Sequence, residues 1–159
     1  MTACCLLMTE ADMAHSPKRK PFLDLVLSLF RLNGLLVAEG DRMAESLGLT
    51  SARWKVIGVI ALSHSGVTVP GIARALGQSR QAVQRITDVM EQDGLLRYQR
   101  NPDHKRSVLV CLTDAGQEVY SALRAIQDPW AIESTEDVPL AELESALQLV
   151  RRLIHRFDR

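Results

Sequence analysis

The stretch Val69-Pro70-Gly71-Ile72-Ala73-Arg74-Ala75-Leu76-Gly77-Gln78-Ser79-Arg80-Gln81-Ala82-Val83-Gln84-Arg85-Ile86 decides the fold. It reads as two helices joined by a three-residue turn. Pro70 suits a first helical turn, where backbone N–H groups have no intrahelical partner, and the helix runs to about Leu76. Gly77 opens the turn Gly77-Gln78-Ser79, because a left-handed backbone costs least without a Cβ. Ser79 is placed to cap a second helix, Arg80 to about Gln92, which Asp93-Gly94 ends. Ala73 is small where the helices must approach, and Ile72, Leu76, Val83 and Ile86 supply a shared core. These are the features of a helix-turn-helix.

On a helical wheel Ala82, Val83, Ile86 and Met90 share one side of the second helix. Gln81, Gln84 and Asp88 lie opposite, flanked by Arg80 and Arg85. Arginine can bond guanine bidentately and glutamine can bond adenine, both in the major groove. The helix N-terminus with Ser79 adds N–H groups for a phosphate. An ordinary solvated helix face has the same composition, so the residues after the helix decide between the two.

Those residues form a β-hairpin pattern. Leu95 to Arg100 and Arg106 to Leu112 read as strands, the second alternating Val108, Val110 and Leu112 against Leu109 and Cys111. The polar loop Asn101-Pro102-Asp103-His104-Lys105 joins them. A helix-turn-helix leading directly into a hairpin is the winged variety. Arg97, Arg100, Lys105 and Arg106, with His104, give the wing cations that can reach phosphate or a minor groove.

Upstream, Thr50 is a plausible cap for a helix from Ser51 to Leu62 with the apolar stripe Trp54, Ile57 and Ala61. Before it, Leu23 to Leu36 is apolar at helical spacing (Phe22, Leu25, Val26, Leu29, Leu32, Leu36) and on the other faces as well (Leu23, Leu27, Phe30, Leu35). Downstream, Thr113 caps a helix to about Gln127, where Pro129 is expected to break or kink it. The last helix, about Val138 to Phe157, carries Leu140, Leu143, Leu147, Val150, Ile154 and Phe157 at spacings of three and four, a heptad-like seam. Two terminal helices with this much apolar surface are more than a chain of this size can cover alone. They point to a second copy of the chain, with Phe22, Leu25, Leu29 and the six seam residues at the interface.

The 159 residues are 47% apolar, 24% charged and 4% aromatic, a globular composition that argues against a disordered or purely coiled-coil protein. Nineteen Lys and Arg balance nineteen Asp and Glu, so the net charge is zero. That excludes a wholesale polycation but not a local basic face. From Gln78 to Arg106 six Lys/Arg meet four Asp/Glu, whereas Asp128 to Glu144 holds six acids and no Lys or Arg. The three cysteines, Cys4, Cys5 and Cys111, form no C-x-x-C, so neither a disulfide framework nor a zinc ribbon is expected, and a reducing cytoplasm is the default. The four histidines are scattered, which gives no metal site. No nucleophile elbow, phosphate-binding loop or dinucleotide fingerprint is present, so neither enzyme activity nor a cofactor is expected. No apolar run approaches the ~18–20 residues of a membrane span, and the short apolar Ala3–Met8 lacks the flanks of a signal peptide. The cluster Ser16-Pro17-Lys18-Arg19-Lys20-Pro21 reads as the end of a flexible tail over residues 1–20.

These pieces together resemble one family. Leu49-Thr50 with Trp54, Ile72-Ala73, Leu76 to Arg85, Met90-Glu91-Gln92-Asp93-Gly94-Leu95 and Lys105 to Gly116 look like the MarR family of bacterial transcription regulators in order and spacing. The resemblance runs from about Phe22 to the C-terminus. It implies a mainly α fold with a small β-hairpin wing: a winged helix-turn-helix at about 50–112 and dimerisation helices at about 21–47 and 113–157, in one domain over 21–159. It implies a homodimeric repressor on a palindromic operator in double-stranded DNA, commonly released by a small phenolic or drug-like effector or, in some members, by oxidation. The family's wing usually has an Asp two residues before the arginine that Arg106 matches; here His104 stands there, and Asp103 is adjacent.

The expected DNA-contacting residues are therefore Ser79, Arg80, Gln81, Gln84, Arg85, His104, Lys105 and Arg106. Phe30, Arg31 and Trp54 are candidates for an effector pocket, although core packing explains Phe30 and Trp54 as well. Two other readings stay open: a thiol-responsive regulator using Cys111, and a winged-helix protein–protein module without DNA.

Overall fold

The computed structural model describes residues 16–63, 65–102, 104 and 106–158. These residues form six helices and one hairpin: α1 (Arg19–Glu45), α2 (Ser51–Ala61), α3 (Val69–Leu76), α4 (Arg80–Gln92), β1 (Leu96–Arg100), β2 (Val108–Leu112), α5 (Asp114–Glu133) and α6 (Leu140–Phe157). The chain divides into two compact units, one ending at Ser51 and one from Ala52 to Arg159.

The first unit is built on α1, which is longer than the apolar pattern predicts at both ends. Its start takes in Arg19 and Lys20 of the expected tail, so these two residues are helical, and Pro21 lies within its first turn. Pro21 is tolerated because the first turn has no intrahelical use for its missing N–H. Residues 1–15 of the expected tail lie outside the described residues. At the other end Gly48, at φ 65°, turns the chain so that the Leu49 N–H reaches Ala44 O at 3.1 Å. Asp41 then accepts from the Ser51 N–H at 2.6 Å, giving α2 a carboxylate at its N-terminus. Leu23, Leu27, Phe30, Leu32, Leu35 and Leu36 are exposed, as is Phe22, while Leu25, Val26 and Leu29 are half-buried.

One expectation about α1 needs correcting. By length and composition it could cross a membrane, with a mean hydropathy of 1.6 over its best 18-residue window. Asp24 and Arg31 interrupt the apolar run, whereas the mean over the window absorbs such isolated charges.

In the second unit the winged helix forms as the sequence indicates. The Thr68 side chain caps α3 through the Gly71 N–H at 3.2 Å, and Gly77, at φ 61°, ends it. β1 and β2 pair antiparallel from Leu96↔Leu112 to Arg100↔Val108. Val67 adds a third, one-residue rung: its N–H and carbonyl exchange hydrogen bonds with Val110 at 3.1 and 2.8 Å. Strand β2 is two residues shorter than predicted, because Arg106 and Ser107 belong to the loop turn. The core gathers Val56, Ile57 and Ile60 of α2, Ile72 and Ala73 of α3, Val83 and Met90 of α4, then Leu96, Val110 and Leu123. Arg53 on α2 bonds Asp93, the C-cap of α4, at 2.8 Å, which fixes the far end of that helix.

The strand-to-helix junction is close. Thr113 Oγ1 donates to Gly94 O at 2.7 Å and accepts from Gly116 N at 3.1 Å. Gly116 is buried, and a Cβ there would collide with the carbonyl of Leu95. Helix α5 continues through Pro129 to Glu133, past its predicted end near Gln127. A proline removes one donor at a cost of roughly 3 kcal/mol, and the helix remains unbroken from Asp114 up to Pro129 and on to Glu133. On α6, Leu140, Leu143, Leu147, Ile154 and Phe157 are exposed, and Val150 is half-buried.

Candidate nucleic-acid interface

The working face is built on α4. Ser79 caps it, accepting from the Ala82 N–H at 3.2 Å, as the sequence predicts. Val83, Thr87 and Met90 are buried and set the helix's rotation. Arg80, Gln81, Gln84 and Arg85 are consequently exposed together on the opposite face. At 3.6 residues per turn the four fall within an arc of roughly 140°, so they form one patch of long donors and acceptors.

Gln84 is not free on that patch. Its Nε2 lies 2.7 Å from Asp88 Oδ1 and 2.8 Å from the hydroxyl of Tyr98 on β1. The Tyr98 hydroxyl lies 2.7 Å from the same Asp88 oxygen and 2.9 Å from Thr87 Oγ1. The buried Thr87 hydroxyl is set in turn against the carbonyls of Val83 and Gln84 at 3.1 and 3.0 Å. The hydrogen bonds from Tyr98 and then Gln84 hold the Asp88 carboxyl below the usual carboxylate range, against a smaller opposing effect of burial. Partial burial, and next Asp88 itself, push the Tyr98 hydroxyl above its ordinary value, Thr87 and Gln84 opposing. The network joins the first wing strand to the middle of α4.

In the sequence Asp88 lies on the polar face without a role, and neither Tyr98 nor Thr87 stands out. A Gln–Asp pair four residues apart on a helix is a recognisable signal for Asp88. Tyr98 gave only its place in a strand, two residues from the buried Leu96.

The wing tip has its own brace. The Ser107 N–H and hydroxyl bond the His104 carbonyl at 2.9 and 3.2 Å, and Asn101 Nδ2 donates to Ser107 Oγ at 2.8 Å. His104 and Arg106 are exposed. Lys105, and Asp103 as a substitute wing acid, lie outside the described residues. Between wing and α4 runs an open groove of about 540 Å3, lined by Thr68, Pro70, Gln84, Tyr98, Arg106 and Val108. A second cleft, about 730 Å3, lies on the other side of the hairpin and includes Ile60, Gly66, Arg97, Gln99 and Cys111. Cys111 is half-buried there, its Sγ 3.7 Å from Gln99 Oε1.

The effector candidates are divided between the units: Phe30 and Arg31 are exposed on α1 in the first, and Trp54 is half-buried on α2 in the second. Among the described residues no group of three or more His, Cys, Asp or Glu could hold a metal ion.

The profile described as MarR family matches residues 47–107, which span the helix-turn-helix and most of the wing. The chain is 40% identical over 124 residues to an uncharacterized protein of Mycobacterium tuberculosis, covering 71% of this chain and 85% of the relative. It is 32% identical over 114 residues to the transcriptional activatory protein BadR of Rhodopseudomonas palustris, covering 70% and 65%. Among solved structures, CouR from Rhodococcus jostii bound to p-coumaroyl-CoA superposes with a TM-score of 0.76 at 19% identity, covering 82% of this chain and 92% of that one.

Proposed function

The chain belongs to the MarR family of winged-helix transcription regulators, and from that premise we propose that it is a sequence-specific, homodimeric repressor acting on double-stranded DNA. The observation that carries the reading is the exposure of Arg80, Gln81, Gln84 and Arg85 together on a helix capped by Ser79 and braced by the wing. The helix N-terminus and the wing residues His104, Lys105 and Arg106 contact phosphate and set the register. The four α4 residues read base edges.

The exposed apolar residues of α1 and α6 support the dimer. Phe22, Leu25 and Leu29 with Leu140, Leu143, Leu147, Val150, Ile154 and Phe157 form its interface, which places α1 in a subunit contact and not in a membrane. On this reading residues 21–159 act as one functional domain in the cytoplasm, with no enzymatic activity or cofactor. The two α4 helices then meet a palindromic operator about one helical turn apart.

Release follows if an effector binds more tightly to the arrangement in which the two α4 helices no longer match that spacing. Phe30, Arg31 and Trp54 supply its contacts. The p-coumaroyl-CoA held by the CouR structure supports an aromatic acyl compound as the class to try first. BadR is named as an activator, so the direction of regulation is measured together with binding.

Footprinting on DNA upstream of the chain's own and neighbouring genes tests the proposal. Two protected half-sites about 10 base pairs apart, with transcription rising when the gene is deleted, are the expected result. No protection at any upstream site would leave the protein–protein module as the better reading, and transcription falling on deletion would make the protein an activator.

A further inference from the structure

We propose that Gln84 reads the operator through its carbonyl oxygen alone, as a hydrogen-bond acceptor, and so selects adenine N6 or cytosine N4 at its base pair. The inference rests on the DNA-binding reading above and adds what one residue recognises.

The orientation of the amide follows from its neighbours. An ionised Asp88 carboxylate can only accept, so the end of the Gln84 amide that faces it is nitrogen. Gln84 Nε2, Tyr98 Oη and Asp88 Oδ1 close a triangle with sides of 2.7, 2.7 and 2.8 Å. The Tyr98 corner is itself fixed on the buried Thr87. Gln84 Oε1 has no hydrogen-bond partner among the described residues, and the residue is exposed.

A glutamine that clamps adenine turns both ends of its amide to the base, accepting from N6 and donating to N7. Doing so here would turn Nε2 away from both Asp88 and Tyr98, exchanging two contacts, one of them to a carboxylate, for one hydrogen bond to N7. With one Nε2 hydrogen kept on Asp88 and the other on Tyr98, only an acceptor faces the groove. The Asp88 carboxylate beside it disfavours guanine N7 and O6 and thymine O4, which are acceptors too. Asp88 and Tyr98 are thus positioning residues for Gln84.

The test uses the full-length protein and duplexes selected from a random-sequence pool. Gln84→Ala should relax the preference at one base pair of each half-site, and the adenine or cytosine of that pair carries the test. If it is adenine, replacing it with 7-deazaadenine, which lacks N7, should leave affinity within about twofold, whereas purine without the 6-amino group should lose about tenfold. If it is cytosine, a pyrimidinone lacking the 4-amino group should show the same loss. In a Tyr98→Phe/Asp88→Ala variant, shown folded by circular dichroism, the freed amide should make the 7-deazaadenine penalty appear, or shift a cytosine preference towards adenine. A purely structural role for Tyr98 and Asp88 would not move that analogue dependence.

An affinity unchanged by removing the exocyclic amino group of the adenine or cytosine in that base pair overturns the proposal. So does an equal loss for 7-deazaadenine and amino-free purine in the wild type, a measurement that needs no variant to fold. Selected duplexes whose preferences Gln84→Ala leaves unchanged overturn it while sparing the DNA-binding reading. If no duplex is selected at all, both fall.

Discussion

The Tyr98 hydroxyl lies 2.7 Å from Asp88 Oδ1, so the first strand of the wing and the middle of α4 share one hydrogen-bonded centre. The helix that carries the exposed Arg and Gln side chains is held against the hairpin by polar contacts as well as by the buried Val83, Met90, Leu96 and Val110. A shift of the wing therefore moves the side chains of α4.

Tyr98→Phe keeps the ring and removes the hydroxyl. It should cost about 1 kcal/mol in urea unfolding, since Thr87, Gln84 and Asp88 each lose a partner while two of them still reach water. The Asp88 carboxyl should also titrate closer to the ordinary carboxylate range, because Tyr98 is the largest cause of its depression. Carbon-13 NMR of the side-chain carboxyl through acid titration checks this; an unchanged midpoint would show that the hydroxyl does not hold Asp88.

Stability should depend on pH at both ends of this network. Asp88 titrates lower folded than unfolded, so its contribution is present above the ordinary carboxylate value and lost as pH falls through the folded one. Tyr98 titrates higher folded than unfolded, so its contribution is present below pH 10.0 and lost as pH rises through the folded value. Asp88→Asn should flatten the acid limb of a stability–pH curve and Tyr98→Phe the alkaline limb. Curves parallel to wild type would remove the network as their cause.

Two glycine substitutions should have opposite signs. Gly116→Ala drives a Cβ into the Leu95 carbonyl, a backbone atom held by Thr113 N at 3.1 Å, and should cost about 1–3 kcal/mol. A Cβ at Gly58, inside α2, meets nothing within 4 Å, so Gly58→Ala should stabilise by about 0.5–1 kcal/mol through helix propensity alone. Thermal unfolding of the two variants side by side checks both; a neutral Gly116→Ala would mean that the junction yields.

Ser79→Ala should cost about 1 kcal/mol by leaving the Ala82 N–H without its cap. The loss should appear first as faster amide exchange in the first turn of α4. Equal exchange in both proteins would show that the cap contributes nothing there.

Local chemistry makes most of the winged helix legible in the sequence. Pro70, Gly77, Ser79 and Thr113 each announce a boundary through a backbone requirement, and those boundaries fall within a residue of where they are predicted. Pro21 and Pro129 mislead, because each removes a single donor that the helix around it can do without. The exposed quartet on α4 follows from periodicity. Its brace does not, because Tyr98 and Gln84 lie fourteen residues apart and meet only once the hairpin folds back on the helix. Such contacts belong to tertiary packing, and periodicity within one element is silent about them.

The central claim, that α4 reads DNA, is tested most directly by replacing Arg80 and Arg85 together with alanine and measuring affinity for the footprinted duplex across a salt series. Both side chains are exposed and outside the core, so the variant should keep the wild-type melting temperature. The expected result is at least a tenfold loss of affinity and a shallower dependence of log K on log salt, by about one for each phosphate contact removed. An unchanged affinity and an unchanged slope in the folded variant would contradict it.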